Sequence, residues 1–137
     1  MAFFSKKRPD PAWHAPSEQF PAPLDAILHA LRQDRDAHDG GWCTFDASSG
    51  DANATIQVSG NGVNTLLTPV ELPRLLDSLG LAALASQAHM GGKKRGDPTL
   101  WMLPDASPDE LAVVVDALFT GPLALGSTYS VVARREC

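Results

Sequence analysis

One stretch of the chain, residues 54–71, decides the fold, and it reads ATIQVSGNGVNTLLTPVE. Apolar and polar side chains alternate over residues 54–58, which predicts a half-buried strand. Asn61-Gly62 tolerates positive φ at both turn positions and is a strong β-hairpin signal. Val63–Leu67 then reads as the returning strand, and Thr68-Pro69-Val70-Glu71 has the hydroxyl, proline and glutamate of a helix start. A hairpin followed directly by a helix favours an α+β fold.

Towards the amino terminus, the pattern predicts one helix and one more strand. Residues 23–37 carry a stripe of apolar side chains at helical spacing, formed by Leu24, Ile27, Leu28 and Leu31. A strand is expected over residues 41–46, and residues 48–51 are rich in turn formers. The first strand of the sheet therefore precedes the hairpin directly in the chain.

Towards the carboxyl terminus, the helix that starts at Thr68 is expected to end at Gly80, whose lack of a Cβ suits a left-handed helix end. A short alanine-rich helix is expected within residues 81–90 and a strand over residues 99–103. Ser107-Pro108-Asp109-Glu110 repeats the chemistry of the first helix cap, so a helix is predicted over residues 108–120. The chain is expected to close with a strand over residues 127–134.

These elements predict the order α-β-β-β-α-(α)-β-α-β. Strands joined by tight turns favour one compact α+β domain over residues 23–137, with a mostly antiparallel sheet and helices packed on one face. Whether the last β-α-β stretch crosses over in parallel stays open. Residues 1–22 form a proline-rich arm, and aromatic side chains such as Trp13 and Phe20 leave open whether it is a loose tail or is held against the domain.

Composition excludes several classes of function. The chain has 137 residues, sixteen acidic and eleven basic side chains, and a net charge of −5, which disfavours nucleic acid as a partner. Two cysteines, Cys43 and Cys137, make no disulfide framework and favour the reducing cytoplasm. No apolar run approaches the roughly 20 residues of a membrane span, and the amino terminus does not have the pattern of a signal peptide.

Candidate catalytic and metal-binding residues are few. The acidic run Asp34–Gly40 does not have the glycine and glutamate spacing of a calcium loop, and Asp34 with His38 is better explained as a solvated helix end than as a metal pair. Cys43 with His38 or His89 as a base would make a nucleophile, but its apolar neighbours favour a buried structural thiol. We therefore predict no catalytic residue, no metal and no cofactor.

Two groups of charged side chains are the candidate binding residues. One is the basic loop formed by Lys93, Lys94 and Arg95, and the other is the acidic set Asp34, Asp36 and Asp39. The basic loop can steer an acidic partner or hold a phosphate, although solvated loops often carry such charges without a function. It is not a Walker loop, because Lys94 rather than a hydroxyl residue follows Lys93.

The succession of a strand at residues 54–58, the Thr68 helix start, Leu79-Gly80-Leu81, a further strand, a long helix and a closing strand resembles the type III secretion chaperone-like domains of the YbjN-like group. The resemblance spans about residues 23–135. It implies a small acidic protein that binds another protein without catalysis, and a homodimer is compatible with it.

Three functional hypotheses follow. The first is a non-enzymatic protein-binding domain, chaperone-like or adaptor-like, which predicts an exposed apolar patch of several hundred Å². The alternative is an immunity protein that neutralises a toxin, which predicts that Asp46 clusters with the acidic set on one surface. The third is an enzyme or ligand-binding module, which requires Cys43, His89 and the basic loop to converge in one pocket. The first two expect another protein as partner, and neither nucleic acid nor a membrane.

Overall fold

The chain folds, in a computed structural model, around one antiparallel sheet. The structure describes residues 14–16, 20–37, 42–60, 62–64, 72–90, 100–103, 106–126 and 128–136, and only the backbone at residues 14–16, 34–37, 42, 72, 89–90, 100 and 135–136. The elements in these ranges are β1 (His14–Pro16), α1 (Pro23–Ala37), β2 (Trp42–Ser49), β3 (Ala52–Ser59), β4 (Gly62–Asn64), α2 (Leu72–Ser78), α3 (Ala82–Ala85), β5 (His89–Met90), β6 (Leu100–Met102), α4 (Pro108–Thr120) and β7 (Ser130–Glu136).

The strands lie in the order β1-β7-β2-β3-β4-β6-β5, and every neighbouring pair is antiparallel. Strands β6 and β7 run in the same direction, because an even number of antiparallel pairs connects them. However, β4, β3 and β2 stand between them. The last β-α-β stretch therefore crosses the sheet without forming a parallel pair, which answers the question that the sequence leaves open.

Two tight turns build the centre of the sheet. Ser49 pairs with Ala52 and Ser59 pairs with Gly62, so the first turn is Gly50-Asp51 and the second begins at Gly60. The second hairpin is thus confirmed, but its turn lies one residue earlier than the predicted Asn61-Gly62. Gly60 adopts φ +57°, a left-handed conformation that its lack of a Cβ permits. This glycine therefore sets the position of the turn, and with it the register of β3 and β4.

The core lies between the helices and one face of the sheet. Alternate side chains of strands β2, β3 and β7 are buried on this face, namely Cys43, Phe45, Ala47, Ile56, Val58, Val131 and Ala133. They form one cluster with buried side chains of α1, α2, α3 and α4. The predicted α+β fold, with helices on one face of an antiparallel sheet, is confirmed.

Helices α1 and α4 have the predicted bounds, 23–37 and 108–120. The buried stripe of α1 is centred on Ala26, Ile27 and Ala30, while Leu24 and Leu28 of the predicted stripe are only partly buried. Alanine lets helix backbones approach closely, and α1 packs against α4, β7, β1 and β2. The side chains of Arg32 and Asp109 join α1 to α4 through two 3.0 Å hydrogen bonds.

The observed element order differs from the predicted one in two places. The arm contains β1, which pairs with β7, and the last two residues of the stretch 81–90, where a short helix is expected, form β5, which pairs with β6. The helical part is limited to α3. Strands of two or three residues have no readable periodicity, and their partners are distant in sequence. The helix cap at Thr68 lies outside the described residues.

Candidate functional site

The face of the sheet that points away from the helices is the candidate site. We call it the open face and define it by six side chains of strands β2, β3 and β7: Thr44, Asp46, Thr55, Gln57, Val132 and Arg134. The register makes these residues neighbours, because Asp46 lies opposite Thr55 and Val132, and Thr44 lies opposite Gln57 and Arg134. Each alternates with a buried core residue of its strand, so all six belong to the same face.

Asp46 is the centre of the open face. Arg134 donates from Nε and Nη2 to Asp46 Oδ2, at 3.0 and 2.8 Å, and Thr55 Oγ1 donates to Asp46 Oδ1 at 2.9 Å. One carboxylate thereby joins β2, β3 and β7. The side chains of Arg134 and Asp46 are 34% and 42% exposed, so the network is accessible from solvent.

Access to the open face is uneven. Thr44 is only 2% exposed, and its Oγ1 accepts a hydrogen bond of 3.5 Å from Gln57 Nε2. Val132, two residues from Arg134, is 37% exposed. The open face is therefore shielded from solvent at Thr44 and accessible to solvent around Val132 and Asp46.

The carboxylate of Asp46 is engaged on both of its oxygens within the open face. Both carboxylate oxygens of Asp46 accept hydrogen bonds, and the positive charge of Arg134 lies against that carboxylate. A carboxylate held in this way is positioned to hold the strands together and to present a polar surface. Among the described residues, no group of three or more His, Cys, Asp or Glu side chains is placed to hold a metal ion.

The candidate binding residues from the sequence are largely beyond the described residues. Lys93, Lys94, Arg95 and Asp39 lie outside them, and Asp34 and Asp36 are placed only as backbone in the last turn of α1. Asp46 lies on the open face, whereas α1 packs on the opposite face. The sheet thus lies between Asp46 and the backbone of α1, and the clustering of Asp46 with the acidic set stays a prediction, because the side chains of that set lie outside the described residues.

The structure also places the proposed nucleophile and one of its two candidate bases; the other base, His38, lies outside the described residues. Cys43 is fully buried on the core face and forms no disulfide, as expected for a structural thiol. His89 lies in β5, four strand positions away from β2 in the sheet. At about 4.8 Å per strand this is roughly 19 Å. Cys43 and His89 therefore do not converge.

The apolar patch expected for a chaperone-like surface is not found in the described residues. The large apolar side chains exposed there are Val113 and Val132, each at 37%. Val113 lies on α4 and Val132 on the open face, so they belong to different surfaces. A contact surface in this part of the chain is mainly polar.

Sequence reasoning missed the open face, although one signal for it was readable. Thr44-Phe45-Asp46 and Val132-Ala133-Arg134 both alternate buried and solvent-side positions. The pairing that brings Arg134 to Asp46 spans 88 residues, and local patterns do not report such pairs.

Fold and site together define an antiparallel α+β domain with one helix-covered face and one polar face of its sheet. Comparisons with models of protein families, with curated proteins and with solved structures found no match. Of the helices that the structure describes, none has the length and apolar character required to cross a membrane.

Proposed function

We propose that the chain is a non-enzymatic protein-binding domain, with an adaptor-like or chaperone-like role, and that the open face contacts the partner. The observation that carries the proposal is the hydrogen-bonded network of Asp46, Thr55 and Arg134 at the centre of an accessible sheet face. Antiparallel sheets often leave one face in water, so exposure alone means little. Side chains already fixed by hydrogen bonds lose less conformational entropy when a partner binds, which favours recognition at this position.

Charge favours a partner with a basic surface. Six of the eleven basic side chains lie in two short runs, residues 6–8 and 93–95, so the rest of the chain carries sixteen acidic and only five basic side chains. Such an excess attracts basic proteins and repels nucleic acid. The same excess supports an immunity protein as the second candidate, and the buried thiol of Cys43, which forms no disulfide, supports a cytoplasmic location as part of the proposal.

Two valines of equal exposure make a matched test of the open face. Val132→Arg places a large cation on the open face, and Val113→Arg places the same side chain on the outer surface of α4. Wild type and both variants are immobilised as full chains and exposed to native lysate, and captured proteins are quantified by mass spectrometry. We expect one partner that wild type and Val113→Arg capture equally and that Val132→Arg captures at least about tenfold less.

Equal capture by both variants, or no stoichiometric partner, would contradict the proposal. Urea unfolding of both variants is the control for misfolding, and light scattering shows whether the captured partner is a second copy of the chain. For an immunity protein, the partner is a basic toxin, and its association rate falls as salt rises. A salt-independent rate would argue against that candidate.

A further inference from the structure

The amino-terminal strand β1 lies at one edge of the sheet, and its three described residues pair with three of the seven residues of β7. His14, Ala15 and Pro16 pair with Arg134, Ala133 and Val132 of β7. On its other side, β7 is paired with β2 along all seven of its residues. The pairing described for β1 stops at Arg134, whereas β2 continues opposite Arg135 and Glu136.

The composition of β1 predicts that its pairing with β7 is weak. Pro16 has no N–H and cannot donate to the ladder, and proline within sheets is confined to edges and strand ends. The register sets Ala15 opposite the fully buried Ala133, and alanine is a residue that strands disfavour. A strand of three residues also makes few ladder hydrogen bonds. Apart from this pairing, β1 is held by the proximity of its backbone to α1 and by its covalent connection to that helix.

We propose that β1 is a replaceable strand, and that an extended segment of the protein partner takes its place beside β7. This inference rests on the proposed protein-binding function and names the form in which the partner binds. A segment longer than β1 and without a proline opposite Val132 can continue along β7 towards Glu136 and gain ladder hydrogen bonds. Main-chain pairing supplies the affinity, and a small apolar residue is required opposite Ala133.

Because β1 occupies this edge of β7, it competes with a partner strand for the same pairing. Tethering by the short segment before α1 holds β1 near β7 at an effective concentration on the order of millimolar, so a partner strand must pair better than β1 does. Because Pro16 lies opposite Val132 and His14 opposite Arg134, a strand added here extends the open face. Weakening β1 should therefore tighten binding, and fixing β1 should abolish it.

A cross-strand disulfide provides the direct test. Directly opposite residues of antiparallel strands have Cα atoms roughly 4.5–5.5 Å apart, within the range for a disulfide. The full chain carries Pro16→Cys and Val132→Cys in a Cys137→Ser background, which leaves Cys43 as the remaining, buried thiol. The probe is a fluorescent synthetic peptide of residues 11–19 with Pro16→Val, and its anisotropy reports binding. We expect the reduced protein to bind the peptide and the oxidised protein not to bind it.

A second variant keeps the test independent of the cysteines. Ala15→Pro weakens β1 in the full chain, and we expect it to bind the same peptide at least about tenfold more tightly than wild type does. The protein with Val132→Cys alone, oxidised in the same way, is the control and should bind as the reduced protein does.

Equal binding by the oxidised and reduced forms, or no binding by Ala15→Pro, would overturn the proposal. A disulfide-linked dimer on oxidation would also overturn it, because β1 would then come from a second copy of the chain. The capture experiment with Val132→Arg and Val113→Arg does not use the peptide, so failure of the protein-binding function is seen separately.

Discussion

At the scale of single residues, Tyr129 forms the most sharply defined polar contact outside the open face. Its hydroxyl donates to Asp116 Oδ1 at 2.6 Å, its ring lies 5.3 Å from that of Phe119, and the residue is only 3% exposed. Burial, followed by the hydrogen bond and the negative charge of Asp116, raises the pKa of Tyr129 far above its ordinary value of 10.0. The contact ties the start of β7 to α4.

Replacing Tyr129 by Phe should lower the free energy of unfolding by about 1–3 kcal/mol, because the hydrogen bond to a charged acceptor is lost. Since folding raises this pKa, the folded protein keeps a proton that the unfolded chain loses above about pH 10. The stability that Tyr129 supplies is therefore complete below pH 10 and is lost as the pH rises above it. Urea unfolding at several pH values measures both effects.

The chain has a single tyrosine, so its phenolate absorbance reports on this group alone. Native protein should show no titration near pH 10, and urea-unfolded protein should titrate there. A native titration at the ordinary pKa, or an equal loss of stability above pH 10 in Tyr129→Phe, would contradict the account.

At the scale of elements, α4 shows how local chemistry fixes a helix boundary. Ser107 Oγ accepts from the Glu110 N–H at 3.1 Å, and Glu110 Oε1 accepts from the Ser107 N–H at 2.9 Å. This reciprocal pair satisfies two backbone donors that the first turn leaves without helical partners. The nearby ion pair of Arg32 with Asp109 is 58% and 63% exposed, so its contribution is small.

Ser107→Ala should therefore lower the free energy of unfolding by about 1 kcal/mol. Ser78→Ala is the matched control, because the Ser78 hydroxyl is exposed and donates to the Leu75 carbonyl inside α2 without capping a helix. We expect the control to change stability by less than about 0.5 kcal/mol. Urea denaturation of the three proteins decides the matter, and equal losses in both variants would show that the capping box contributes nothing particular.

The difference between elements fixed by local signals and elements fixed by distant pairing explains how far the sequence predicts the structure. The bounds of α1 and α4 are readable because periodicity and caps are local signals, and the hairpins are readable from their glycines. Strand β1 is not readable, since its three residues acquire a strand conformation only by pairing with β7, more than a hundred residues away. The open face is not readable from the sequence for the same reason. Asp46 and Arg134 each have the pattern of ordinary solvated residues, and only the register of β2 and β7 brings them together.

At the scale of the whole molecule, the sheet is strongest at its centre and weak at both edges. Strand β2 pairs with β3 and β7 over seven residues each, and the fully buried Phe45 lies opposite Ile56 and Ala133. The edge strands β1 and β5 have three and two residues. Very short edge strands limit unwanted pairing with other chains, and they also open at little cost in free energy.

Amide hydrogen exchange should therefore divide the molecule in two. We expect the amides of β2 to exchange only through global unfolding, because β2 is paired over seven residues on each side above a continuous core. Amides of β1, β5 and the four-residue helix α3 should exchange through local opening, at least about a hundredfold faster than those of β2. Native-state exchange at increasing urea measures this. The exchange rate of an amide that exchanges through global unfolding rises with urea, whereas the rate of one that exchanges through local opening changes little. Protection of β1 equal to that of β2 would mean that β1 opens only with the whole sheet, and a strand that opens only with the sheet cannot be replaced by a partner.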